Sequence, residues 1–378
     1  MDVKNFVFAL KDMGVNFFTG VPDSLLSPFC DYIVKEFGIT QQHIVAANEG
    51  GAVGLAAGHY LATGKPAVVY MQNSGIGNAI NPICSLLHEK VYSIPVVFVI
   101  GWRGEPGVKD EPQHVFQGEI TLDLLEILGI PNVIISENTS LEEFHSAVSE
   151  FMTYLSKGKM VAFVIKKGAL SNDEPVKYMS KVPLSRERIL ESIVNKSKAD
   201  DIFVCTTGKL SREMYEIRER LEHGHQNDFL TVGSMGHSVM IAMGIAMSCM
   251  DKRVYCLDGD GSMLMHMGSL AVVGVHRPNN FVHIVINNGA HESVGGMPTA
   301  ASQLDLSAIA HAAGYENFFR IVEQKELDNV LEQIPYIKGT VFIEVLSNLE
   351  SRKNLGRPTT SPVENKNSFM ENIMGKRI

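Results

Sequence analysis

The sequence predicts an α/β protein of two doubly wound parallel-sheet domains, with no third domain between them. Three features carry that reading. Short apolar runs alternate with helical stretches through the first half, a polar stretch with two prolines breaks the alternation once, and the alternation then restarts. Apolar runs this short suit strands buried on both faces. Strands that alternate with helices form parallel sheets.

The first half offers strands near residues 15–18, 44–47, 67–71, 96–100, 133–135 and 161–165, with helices such as 55–63 and 141–155 between them. The polar stretch 171–184 reads as a linker. Strands recur near 202–205, 229–232, 254–257, 281–286 and 341–346. The expected domains are therefore 1–170 and 185–350. A tail, 351–378, follows, and the sequence leaves open whether it closes over a site as a lid or stays without a core.

A chain of 378 residues suits two or three domains, and 45% apolar content supplies substantial cores. A formal charge of -9 gives no footprint for nucleic acid. No apolar run is long enough to span a membrane, and the start of the chain lacks the apolar segment of a secretory signal. Five cysteines, none in a Cys-x-x-Cys pair, read as reduced core residues of a cytoplasmic protein.

The chemistry gathers between Arg253 and Thr299. One strand-like run ends in Asp258-Gly259-Asp260-Gly261-Ser262. Glycines there let backbone N–H groups approach a phosphate, and a carboxylate beside a phosphate points to a divalent cation. The next strand ends in Asn287-Asn288-Gly289-Ala290. A single crossover helix puts Asp260 and Asn288 at the same carboxyl edge of the sheet. Alone, the Gly-Asp-Gly triplet also fits a plain strand-to-helix turn with a capping aspartate. Upstream, Asn48-Glu49-Gly50-Gly51-Ala52 opens a helix of small residues. In isolation Glu49 fits a residue that only complements the helix dipole.

Taken together, the Gly-Asp-Gly turn, the paired asparagines and the Asn-Glu-x-x-Ala segment are similar to the pattern of thiamine-diphosphate (ThDP) enzymes. The chain resembles the ThDP-dependent 2-keto-acid decarboxylases over nearly its whole length. The resemblance implies a pyrimidine-binding first domain, a diphosphate-binding second domain, and ThDP with Mg²⁺ as cofactors. It also implies a homodimer or higher assembly with the active site at the subunit interface. By the same resemblance, Glu49 shares a proton with N1′ of the aminopyrimidine, and Gly75 belongs to a glycine turn of the pyrimidine-binding domain. Thr207 and Gly208 help hold the diphosphate. The Gly233 carbonyl accepts from the 4′-amino group, and Met235, by residue type an ordinary core methionine, would bend the cofactor. Gly259, Gly261 and Ser262 belong to the diphosphate turn, and Asp260, the Asn288 side chain and the Ala290 carbonyl bind the metal.

Asp23 and His114 are the candidates for the remaining acid–base work; His114 also fits a surface loop. An anionic substrate calls for cations, and Arg103, Lys109, Arg352, Lys353 and Arg357 are the candidates. His291 and Glu292 follow the metal loop and are placed to line the pocket. The segments 20–24, 292–299 and 355–359 look most like the family branch that decarboxylates phosphonopyruvate, a small phosphonate keto acid. Sulfopyruvate, or a plain 2-oxo acid with carboligase chemistry, is the nearest alternative. A nicotinamide oxidoreductase would need a strand-linked Gly-x-Gly-x-x-Gly, which the sequence lacks. A non-catalytic scaffold subunit would not need both Glu49 and the metal set.

Overall fold

Each half of the chain builds its own six-stranded parallel sheet flanked by helices. The computed structural model of the protein describes residues 1–180, 182–292, 295–352 and 354–375. Two units result. One comprises Met1–Lys177 with a short return stretch around Met297, and the other holds the remainder.

In the first unit the strands are β1 (Phe18–Gly20), β2 (His43–Val45), β3 (Ala67–Gln72), β4 (Val96–Gly101), β5 (Asn132–Ile135) and β6 (Val161–Ile165). Their order across the sheet is β2-β1-β3-β4-β6-β5. The pleat explains why the central strands are apolar throughout. Val68, Val97, Val99 and Phe163 enter one core layer, while Val69, Val96, Phe98 and Val164 enter the layer on the other face. The chain steps from β1 outward to β2, then back across to β3. That reversal opens a crevice at the carboxyl ends of β1 and β3, where ligands of such sheets bind.

The second unit repeats the plan with β7 (Ile202–Cys205), β8 (Asp228–Leu230), β9 (Val254–Gly259) and β10 (Phe281–Asn287). The strands Val341–Leu346 and Asn317–Ile321 complete it beyond β10, and β9 lies between β7 and β10. The reversal here falls between β7 and β9, so the Gly-Asp-Gly turn emerges at a switch point.

Several expectations shift by a few residues. The first strand begins at Phe18 instead of Val15, although Val15 and Phe17 are still buried on the way in. The helix expected over 55–63 starts earlier, at Glu49, because Asn48 caps it: its Oδ1 accepts the Gly51 N–H at 2.7 Å. The edge strand Asn317–Ile321 was not anticipated.

The tail has structure of its own. Arg212 Nε donates to the Gly356 carbonyl at 2.7 Å, and the Tyr215 hydroxyl meets Thr359 Oγ1 at 2.7 Å. A helix, Pro362–Met374, follows with a Ser361–Glu364 capping box. Its Asn365 bonds both the N–H of Leu230 and the carbonyl of Asp228, and Phe369 packs on Phe229. Residues 355–374 are thus docked along the second unit.

Candidate active site

In the first unit the candidate residues gather past the carboxyl ends of four adjacent strands. Glu49 follows β2 as the first residue of the helix Glu49–Thr63 and is 5% exposed. Asn78 Nδ2 donates to its Oε2 at 2.7 Å. Gly75, past β3, lies against its other oxygen: a Cβ there would come 2.5 Å from Oε1. The glycine of the turn is thus a space left for the carboxylate.

Asp23 lies past β1 and is buried. Gln72 Nε2 donates to its Oδ1 at 2.7 Å, and the Leu25 N–H to its Oδ2 at 3.0 Å. Burial raises its pKa above the usual carboxylate value, against the opposing pull of these bonds and of Arg103.

Arg103, past β4, is not a free cation. It grips Asp110 through Nε (2.8 Å) and Nη2 (2.5 Å), and Nη1 reaches Ser24 Oγ at 3.2 Å. Its role is to tie the loop after β4 to the loop that carries Asp23. His114 lies in a helix and not in a loop: it stands in the first turn of Pro112–Ile127. Burial, with the charge of Arg103 adding to it, lowers its pKa to about 4, so the ring is neutral at pH 7. Lys109 is exposed.

In the second unit Asp260 begins the short helix Asp260–Met265 and is 3% exposed. Thr299 Oγ1 donates to its Oδ2 at 2.5 Å. Burial pushes its pKa up to about 7 despite N–H donors from Gly261 and Asn288. A carboxylate this costly to bury calls for a cation. The two asparagines divide their work. Asn287 is structural: its Nδ2 donates to Glu344 at 2.7 Å and its Oδ1 accepts the Gly289 N–H at 2.9 Å. Asn288 is less buried, and its Oδ1 accepts the Ala290 N–H at 3.0 Å. The Asp260 carboxylate, the Asn288 amide oxygen and the Ala290 carbonyl are oxygen donors of the kind a hard divalent cation takes.

Ser262 Oγ meets Thr206 Oγ1 at 2.9 Å and accepts the Gly236 N–H at 3.1 Å, joining three loops of this edge. Thr207 Oγ1 donates to the Val232 carbonyl at 2.7 Å, and Gly208 caps the helix Lys209–Leu221. Gly233 lies past β8 in the same stretch as Met235. A Cβ on Gly261 would lie 3.1 Å from His291 Cε1 and 3.4 Å from Met235 Cε, so ring and thioether converge over the Gly259–Gly261 turn. Burial lowers the His291 pKa to about 4.

The tail cations stand apart from these clusters. Arg352 is held by Glu187 (Nε–Oε2 2.8 Å) and by Glu216, and Arg357 is exposed. As a substrate anchor, Arg352 is already spent on two carboxylates. Lys353, Ser293 and Val294 lie outside the described residues. Sequence reasoning missed Asn78 and Thr299, the partners of the two key carboxylates. Thr299 closes a stretch it had singled out and Asn78 stands three residues past Gly75, but nothing in their residue type marks them.

The chain is 35% identical to a phosphonopyruvate decarboxylase of Streptomyces viridochromogenes over 95% of its own length and 92% of that protein's. It belongs to the thiamine-diphosphate-dependent decarboxylases. Family models agree: residues 3–127 match the N-terminal and residues 206–345 the C-terminal TPP-binding domain of the thiamine pyrophosphate enzymes. This decarboxylase is also 31% identical to a phosphonopyruvate decarboxylase of Streptomyces hygroscopicus, covering 98% of the chain and 94% of the relative. It is 25% identical to a sulfopyruvate decarboxylase of Methanosarcina acetivorans, covering 98% and 97%. It is a carbon–carbon lyase acting on a keto acid, and its site fits the cofactor. A buried carboxylate is left room beside Gly75, and a second buried carboxylate is set among oxygen donors and glycine turns. Among the described residues no helix is long and apolar enough to cross a membrane.

Proposed function

We propose that this decarboxylase converts 3-phosphonopyruvate to phosphonoacetaldehyde and CO₂ with ThDP and Mg²⁺, as a step in phosphonate biosynthesis. The observation that carries the substrate is the higher identity, over nearly the full chain, to relatives named for phosphonopyruvate than to the single-chain relative named for sulfopyruvate.

When bound, ThDP supplies the nucleophilic carbon and the electron sink that let a 2-oxo carboxylate leave as CO₂. The residues of the chain bind, orient and protonate. Mg²⁺ would be held by Asp260, the Asn288 side chain and the Ala290 carbonyl. The turn at Gly259 to Ser262 and the Thr207-Gly208 loop would receive the diphosphate, with Gly233 and Met235 beneath the ring system. Glu49, its Oε2 fixed by Asn78, would hold a proton at Oε1 on the side that faces Gly75. Asp23, whose pKa burial raises, and the neutral His114 are the candidate proton carriers along the same sheet edge. Lys109, exposed in the loop after β4, is the candidate for holding the anionic end of the substrate.

The site is completed by a second copy in this reading: Glu49 of one chain serves the cofactor held by Asp260 of another, in a homodimer or larger assembly. The enzyme works in the cytoplasm, where its five free cysteines stay reduced.

Phosphorus NMR tests the substrate. Purified protein with ThDP and Mg²⁺ should turn 3-phosphonopyruvate into phosphonoacetaldehyde and should be poor on sulfopyruvate in a parallel CO₂ assay. Brisk sulfopyruvate turnover with no phosphonate product would overturn the substrate and leave the cofactor reading standing.

A further inference from the structure

The second unit contains a balanced group of charges, two of them buried and two partly buried, that the catalytic reading does not use. Arg186, at the start of the helix Arg186–Lys196, is 8% exposed. Its guanidinium bonds Glu213 bidentately, Nε to Oε2 at 2.7 Å and Nη2 to Oε1 at 2.8 Å. Its remaining arm, Nη1, bonds Oε2 of Glu292. Lys209 Nζ, from the first residue of the helix Lys209–Leu221, donates to the other Glu292 oxygen at 2.8 Å and to Ser351 Oγ at 2.8 Å. Both Glu292 oxygens are taken by these cations, so the side chain expected to line the pocket is spent within the group. Two cations meet two carboxylates, so none of the four is left uncompensated.

The position of the group matters more than its charge. Lys209 directly follows Thr207-Gly208, the loop after β7. Glu292 stands two residues past Ala290, in the loop after β10. Strands β7 and β10 flank β9, whose end carries Asp260. The Lys209–Glu292 pair therefore bridges the two loops on either side of the Gly-Asp-Gly turn, and Arg186 anchors that bridge to the helix layer. The buried Arg186–Glu213 pair fixes geometry, because breaking one partner strands the other.

We propose that Glu292 is a positioning residue: clamped by Arg186 and Lys209, it fixes the loop that carries Asn288 and Ala290 and so sets the affinity for the metal–diphosphate unit. The inference rests on the cofactor reading above. Groups that orient metal ligands typically change metal affinity by about tenfold to a hundredfold when removed.

The test is Glu292→Gln in the full-length protein. ThDP binding is measured by calorimetry across a Mg²⁺ series, and kcat at saturating cofactor. The expected result is a rise of about tenfold or more in the ThDP Kd and in the Mg²⁺ half-saturation, with kcat at saturation within about threefold of wild type. A variant that folds by circular dichroism and binds both as wild type overturns the proposal. So does a collapse of kcat at unchanged affinity, which would place Glu292 on the substrate. Should Glu292→Gln not fold, Lys209→Met removes half of the clamp and carries the same expectation. Asp260→Asn, run alongside, separates the two readings. Lost binding there with intact binding in Glu292→Gln overturns the clamp alone, whereas intact binding in both overturns the metal site and the clamp together.

Discussion

Oε1 of Glu49 fills the space that a side chain at residue 75 would need, 2.5 Å from where the Cβ would stand. Gly75→Ala must therefore displace the carboxylate or the turn. We expect the variant to lose most of its decarboxylase activity while destabilising the fold by about 1–3 kcal/mol, the usual cost of overpacking. Steady-state rates and urea midpoints check both. A fully active Gly75→Ala would show that Glu49 does not work from the position described.

Asn78 holds the other oxygen of the same carboxylate at 2.7 Å. Asn78→Ala leaves a buried acceptor without its donor, a loss of about 1–3 kcal/mol. Activity should fall with it, and Glu49→Gln should fall further, by about 10²-fold or more, with little change in thermal midpoint. Equal, mild effects from both substitutions would argue that Glu49 only caps its helix.

Asp260 is buried among N–H and O–H donors with its pKa raised to about 7. Removing metal with a chelator should abolish ThDP binding, and Mg²⁺ should restore it. Asp260→Asn should lose that metal-dependent binding while keeping its fold, because the amide no longer presents a buried charge. Calorimetric titration reads both outcomes.

The pH dependence of stability has a definite sign at His114. Its folded pKa, about 4, lies below the ordinary histidine value of 6.5. Between those values the unfolded chain binds more protons, so stability rises with pH through that window and is lost as pH falls from about 6.5 towards 4. A fully buried ring with this shift would cost about 3–4 kcal/mol at low pH, and the partial exposure of His114 brings the cost well below that. His114→Gln should flatten this part of the profile, read from urea midpoints at successive pH values. An unchanged slope would mean that the ring is not desolvated.

Arg352 is mostly exposed and tied to Glu187 and Glu216. Arg352→Met should leave KM for the keto acid within about twofold and cost at most about 1 kcal/mol, as surface ion pairs do. A large rise in KM would return the tail to the substrate site.

How much of this was legible in the sequence depends on what each residue faces. Central strands such as Val161–Ile165 and Val341–Leu346 are buried on both faces, so an unbroken apolar run marks them. The edge strand Asn317–Ile321 alternates between half-buried and exposed positions, ending on buried Ile321, and its weaker pattern passes for a loop. Glu49 and Asp260 announce themselves through glycines and neighbours close in sequence. Their partners Asn78 and Thr299 stand 29 and 39 residues away in the chain, brought in only by the packing of strands and helices. Arg103 shows the reverse: its residue type suited a substrate anchor, and folding spends most of it on Asp110. Charge alone does not tell a free cation from a paired one.

The central claim is that one cofactor is served by Glu49 and Asp260 from two copies of the chain. Co-expressing Glu49→Gln and Asp260→Asn subunits with different tags, and isolating the mixed dimer, tests it directly. Each single-variant protein should be inactive. The mixed dimer has one site carrying both substitutions and one carrying neither, so it should recover about half of the wild-type rate per dimer. A mixed dimer as inactive as its parents would contradict the claim, since that result requires both residues to act within one chain.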